Sequence, residues 1–208
     1  MCTNSCIAYT GLYKLLEECP QCLHPHRNHY HDPFKTFTTY PIGPQIQQRR
    51  TDELLERLHQ NGGKLDVYDD FLRGSDYLEA VINGDITDDD TLLIFSMDST
   101  QLYHMKQSDC WLYIWVILNL DPNKRYKVRY ILPAGSIPGP DFLKNIDSFI
   151  FPSLYHLAAI QNEGGLRIWD GGQRWLSSSR LRLVFVHPTT LLLSFAPMVV
   201  FLQIPMAM

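Results

Sequence analysis

Two stretches in the middle of the chain are apolar almost without interruption. Residues 91–97 read TLLIFSM and stop at Asp98, and residues 111–118 read WLYIWVIL and stop at Asn119 and Pro122. Runs of this length, rich in β-branched and aromatic side chains, predict strands buried on both faces. A third run, 126–132, alternates Lys127, Arg129 and Ile131 with Val128, Tyr130 and Leu132, the period of a half-buried strand. It leads into a Pro- and Gly-rich turn region at 133–140. The connections between these runs are short enough for neighbouring hairpins. Helical spacing then takes over: Ile146, Phe149, Ile150, Leu154, Leu157, Ala158 and Ile160 share one side of a segment over 145–161. Pro152 is expected to kink that helix or mark its start, and Gly164-Gly165 to end it. One more short strand, 166–169, closes on Asp170. Three strands, a helix and a strand make an α+β fold of α/β type.

The flanks are less regular. Residues 33–48 read as an extended connector with a short strand, because β-formers alternate there with Pro and Gly. A helix is predicted over 50–60, with Leu54, Leu55 and Leu58 on its apolar face and Asn61-Gly62-Gly63 as its stop, and a second over 75–83. Asp88-Asp89-Asp90 lacks the ligand spacing and terminal Glu of a calcium loop and reads as a solvated turn. Residues 191–204 are strongly apolar, but Pro188, Pro197 and Pro205 keep the uninterrupted runs below the ~20 residues of a spanning helix, so no membrane anchor is expected. No charged segment followed by an apolar one opens the chain, and no signal peptide is expected.

Composition narrows the class. With 208 residues, 45% apolar and 19% charged, the chain suits one globular domain and excludes a disordered tail or a coiled coil. A net charge of −4 excludes a uniformly basic nucleic-acid binder. The charge is uneven: all 22 acids lie at or before Asp170, and no Lys, Arg, Asp or Glu follows Arg182. Residues 1–170 carry a net −7 and residues 171–208 a net +3.

Two features carry candidate chemistry. Cys2, Cys6, Cys19 and Cys22 are spaced C-x3-C-x12-C-x2-C, and two thiolate pairs so arranged can close tetrahedrally on one zinc ion. His24, His26, His29 and His31 follow and could replace a thiolate; the plain alternative is free or buried thiols. Cys110, inside an apolar run, reads as a core thiol. Asp98, at the end of a buried run, stands where a rigidly held carboxylate could ligate a divalent metal, although Asp after a strand is also ordinary turn chemistry.

The stretches CTNSCIAYTG (2–11), ECPQC (18–22), TTYPIGPQIQ (38–47), RTDELLERLHQNGGKLDVYDDFLRGSDY (50–77), LIFSMDSTQLY (93–103), SDCWLYIWVILNL (108–120), PAGSIPGPDFLKNIDSFI (133–150) and GLRIWD (165–170) resemble transposases of CACTA-type (En/Spm-like) DNA transposons, particularly the fungal branch. The likeness runs from residue 2 to about residue 172. It implies an RNase H-like nuclease core with three metal-binding acids, the DDE set, preceded by a Cys-rich zinc-like segment. Asp98 matches the first acid, with Ser99 in place of the usual Gly, and the four cysteines match the family's paired cysteines. Leu23-His24 replaces the Gly-Glu that follows the second pair. The second acid belongs to a further strand beyond Asp170, in an Asp-x-Pro or Asp-Gly-Pro motif, and nothing in 171–208 supplies it or the third; Asp170 is only a secondary candidate. Mg²⁺ or Mn²⁺ would be the ancestral catalytic ions, not productively bound here.

The resemblance divides the chain into a Cys/His-rich zinc-like segment (1–32), a connector with helices (33–90), the first part of an RNase H-like core (91–172) and an apolar tail unlike the family (173–208). Both ends look cut, and the tail resembles an out-of-frame reading. The implied function is that of a cut-and-paste transposase fragment without activity, nuclear, with transposon DNA ends as partner and self-association as an option. Lys124, Arg125, Lys127 and Arg129 are candidate phosphate contacts or a solvated strand face. The alternative is a non-catalytic zinc-containing module that binds DNA or protein.

Overall fold

The apolar runs become the middle of a mixed sheet. In the computed structural model, which describes residues 1–49, 75–87, 89–101, 109–139, 142–170 and 175–188, the strands are β1 (Thr38–Thr39), β2 (Thr91–Gln101), β3 (Asp109–Ile117), β4 (Leu132–Pro138), β5 (Leu166–Asp170), β6 (Trp175–Ser179) and β7 (Leu181–Pro188). The helices are α1 (Ile42–Arg49), α2 (Ser75–Ile82), the single turn α3 (Pro122–Arg125) and α4 (Ile146–Asn162). The helix predicted over 50–60 lies outside the described residues.

Five strands form one sheet in the order β1-β4-β3-β2-β7; β5 and β6 form a separate antiparallel pair. β2, β3 and β4 are an antiparallel meander, and β7 returns parallel to β2 after α4 and the hairpin. Both faces are covered over residues 92–97 and 113–118, which is why those stretches are almost entirely apolar. On one face Leu93, Phe95, Met97, Tyr113, Trp115 and Ile117 pack with Phe149, Leu157 and Ile160 of α4 and Ile42 and Ile46 of α1. On the other, Leu92, Ile94, Val116 and Val184 pack with Ala80 of α2 and with Ile86.

Four expectations are corrected. Residues 126–130 form turns closed by Lys127 N–H to Lys124 O (2.9 Å) and Tyr130 N–H to Lys127 O (2.8 Å), with Val128 exposed. The strand is instead β4, in the region read as a turn. Its Gly135 is required by crowding: a Cβ there would meet the Thr38 carbonyl and the Tyr113 ring at 2.3 Å. Second, β2 does not stop at Asp98; the ladder continues through Ser99–Trp111 and Thr100–Cys110 to Gln101–Asp109. An apolar pattern reports burial, whereas the ladder is held by backbone groups that polar residues also carry.

Third, α1 replaces part of the connector. Pro44 falls in its first turn, where a missing N–H leaves no intrahelical bond unmade. Fourth, residues 175–188, read as part of an apolar tail, enter the fold: β7 lies beside β2 in the sheet, with Leu181 and Leu183 in the main core.

α4 runs unbroken through Pro152. Proline has no N–H for the carbonyl of Ser148 four residues back; the Thr10 hydroxyl donates to that carbonyl instead. The N-terminal segment is therefore docked on the first turn of α4. Ala8 N–H donates to Ser148 Oγ (2.8 Å), Lys144 N–H to Ser5 O (3.3 Å) and Asn145 Nδ2 to Tyr13 OH (3.0 Å).

Candidate metal centre

Residues 1–25 have little periodic apolar sequence, yet Cys2, Cys6 and Cys19 are buried and Cys22 is half-buried. Two tight turns bring them together. Ser5, at φ +52°, lies in the left-handed region just before Cys6, with its N–H on Cys2 O (3.1 Å), while Cys2 N–H reaches Ile7 O (3.0 Å). Leu23, at φ +58°, follows Cys22, with its N–H on Cys19 O (2.8 Å), and Cys19 N–H closes on His24 O (2.9 Å). Each turn presents its two thiols to the other.

The four sulfurs lie within 4.8 Å of one another, and those of Cys2 and Cys22 are 3.4 Å apart. Four sulfurs about 2.3 Å from a tetrahedral zinc would be roughly 3.8 Å apart, so this donor set fits zinc in number, chemistry and spacing. The histidines do not enter the cluster. His26 stacks on Tyr9 at 3.7 Å, His29 packs on Tyr30, and His24 Nδ1 is bonded to Pro25 O.

The surroundings act on the thiols in opposite directions. Burial pushes the Cys2 and Cys6 thiols up, Cys6 to about 12, against the N–H groups of Asn4 and Cys6 aimed at the Cys2 sulfur and the Lys144 amine near Cys6. The His24 N–H aimed at Cys22 brings that thiol down to about 6. Burial, with the four cysteines adding to it, raises the Tyr9 phenol to about 12. Four thiolates around a divalent ion leave a net charge of about −2, and Lys144 at Cys6 and Lys35, whose Nζ donates to Ser5 Oγ at 3.3 Å, are placed to offset it.

The remaining candidates do not converge. Asp98 is exposed on β2, opposite Leu112 on β3. Asp170 ends β5, in the other sheet, opposite Trp175. Among the described residues the cysteine cluster is the one group of three or more His, Cys, Asp or Glu able to hold a metal, and Asp98 belongs to no such group. The basic candidates also separate. Lys124 is half-buried, and Lys127 and Arg129 are exposed, with Arg129 stacked over Tyr130 at 4.5 Å. Arg125 is 2% exposed, and its Nε and Nη2 both donate to Leu120 O, so it is a structural residue rather than a phosphate contact. This turn follows the end of β3, at the opposite end of that strand from Asp109 and the Asp98 partner Leu112.

The acidic turn hides a buried carboxylate. Asp90 accepts from Arg180 Nε (3.1 Å), Arg182 Nε (3.4 Å) and Thr87 N–H (3.1 Å), and its side chain is 1% exposed. The partners are about ninety residues downstream, so no local pattern could pair them. Cys110 is the buried core thiol expected from its surroundings. Among the described residues no helix is long and apolar enough to cross a membrane. Comparison of the chain with protein-family models, with curated proteins and with solved structures gave no match.

Proposed function

We propose that the chain is a catalytically silent relative of CACTA-type DNA transposases, with a structural zinc on Cys2, Cys6, Cys19 and Cys22 and an RNase H-like core behind it. The observation that carries this reading is the order of elements: an antiparallel meander, a helix, and a strand returning parallel to the first strand, with Asp98 on that first strand. This is the arrangement the resemblance implies for a DDE nuclease. In that reading β7 is the strand whose end would bear the second acid, and it ends instead in His187-Pro188. Zinc, when bound, supplies no reaction step here; it crosslinks two turns that have little core of their own. Partner DNA, nuclear location and self-association belong to the same proposal.

Activity assays with Mg²⁺ or Mn²⁺ on duplex DNA test it. The expected result is no cleavage above buffer, unchanged by Asp98→Ala. Metal-dependent cleavage abolished by Asp98→Ala would restore the enzyme reading. The second reading, a zinc-containing module for DNA or protein binding, is favoured by Asp98 belonging to no metal-holding group among the described residues. DNA retention without cleavage supports the DNA-binding form of that module.

A further inference from the structure

The strongest feature outside the cysteine cluster lies where β7 begins. A cavity of about 230 Å³ is lined by Gln161, Arg180, Leu181 and Arg182. That is below the size of a pocket for a drug-sized ligand and leaves room for a small ion. Its two arginines are anchored from behind. Arg180 Nε and Arg182 Nε each take one oxygen of the same buried Asp90 carboxylate. Asp90 is in turn held by Thr87 N–H, and the loop that carries it is fastened by Asn119, whose Nδ2 donates to Asp90 O (3.1 Å). Both guanidinium groups are thus fixed through Nε, while among the described residues no other partner engages their Nη groups. The side chains remain 44% and 23% exposed. Two guanidiniums against one carboxylate leave an excess of one positive charge. Gln161 fixes the remaining wall, its Nε2 donating to Leu181 O (2.7 Å).

We propose that Arg180 and Arg182, braced by Asp90, form a binding site for a phosphoryl group. A planar fork already oriented by its Nε loses little freedom when its Nη groups engage tetrahedral oxygens, and a pair of forks suits a dianion better than chloride or a monocarboxylate. The concave wall favours a free or terminal phosphate over one in the interior of a polymer. The site is in a different part of the molecule from Asp98 and the cysteines, so it stands or falls independently of the transposase reading.

The test is calorimetric titration of the whole chain with inorganic phosphate at fixed ionic strength, with chloride as control. The expected result is saturable one-site binding to phosphate and none to chloride. Arg180→Lys and Arg182→Lys keep a positive charge beside Asp90 and so preserve folding; each should weaken phosphate binding by about fivefold or more, because the second fork contact is lost. Arg167→Gln on β5 should leave it unchanged. A 5′-phosphorylated oligonucleotide compared with its 5′-hydroxyl counterpart identifies the carrier: preference for the phosphorylated form marks a nucleic-acid end, and no preference marks a free anion. Equal heats for phosphate and chloride, or undiminished phosphate binding by the doubly substituted chain, would overturn the proposal.

Discussion

Ser148 shows how much one side chain can hold. Its hydroxyl accepts the buried Ala8 N–H and donates to Asn145 O at 2.8 Å, while its carbonyl takes the Thr10 hydroxyl in place of the N–H that Pro152 lacks. Ser148→Ala leaves the Ala8 N–H without its partner and should cost about 1–3 kcal/mol, measured by urea unfolding. At the cysteines the expectation concerns pH. Zinc must displace protons from Cys2 and Cys6, whose thiols are held above their usual range, whereas Cys22 is brought down to about 6 and is largely ionised at neutrality. Affinity therefore rises as pH rises and falls as protons compete at lower pH. With at least two protons released, the change between pH 7 and pH 8 should be about a hundredfold, read by competition with a chromophoric chelator. The cysteine set was legible in the sequence from its spacing, whereas the exclusion of the following histidines from the cluster was not. The pairing of Asp90 with Arg180 and Arg182 was not, since it depends on β7 arriving beside β2.

Elements were legible where burial and periodicity agreed. β2, β3 and α4 announce themselves, since two covered faces demand continuous apolar strands and one covered face demands helical spacing. β4 was hidden because LPAGSIP looks like turn chemistry. Its Pro133 and Pro138 stand at ladder positions opposite Ile114 and Cys110, and its Gly135 lets Tyr113 and β1 approach. Gly135→Ala must push against the Thr38 carbonyl as well as the Tyr113 ring, so we expect a loss of roughly 2–3 kcal/mol in denaturant unfolding. The alternation over 126–132 misled for the opposite reason: charged and apolar residues alternate there on a turn whose apolar Val128 is in water.

For the whole molecule, the change in charge pattern after Asp170 does not mark the end of the folded unit. The acid-free segment holds β7, which places Leu181 and Leu183 in the main core and Val184 in the second. Leu183→Ala should therefore destabilise the chain by about 2–5 kcal/mol, the cost of a core cavity rather than of a surface change, as read from the unfolding midpoint at constant slope. At the other end, the cysteine turns are fastened to the first turn of α4, so the cysteine cluster and the sheet form one connected structure.

Native mass spectrometry of the purified chain tests the four-cysteine zinc site most directly. The expected result is one zinc per chain, lost in Cys6→Ser and Cys19→Ser and retained in Cys110→Ser. A chain that carries no zinc, or that keeps its zinc when Cys19 is replaced, would contradict it.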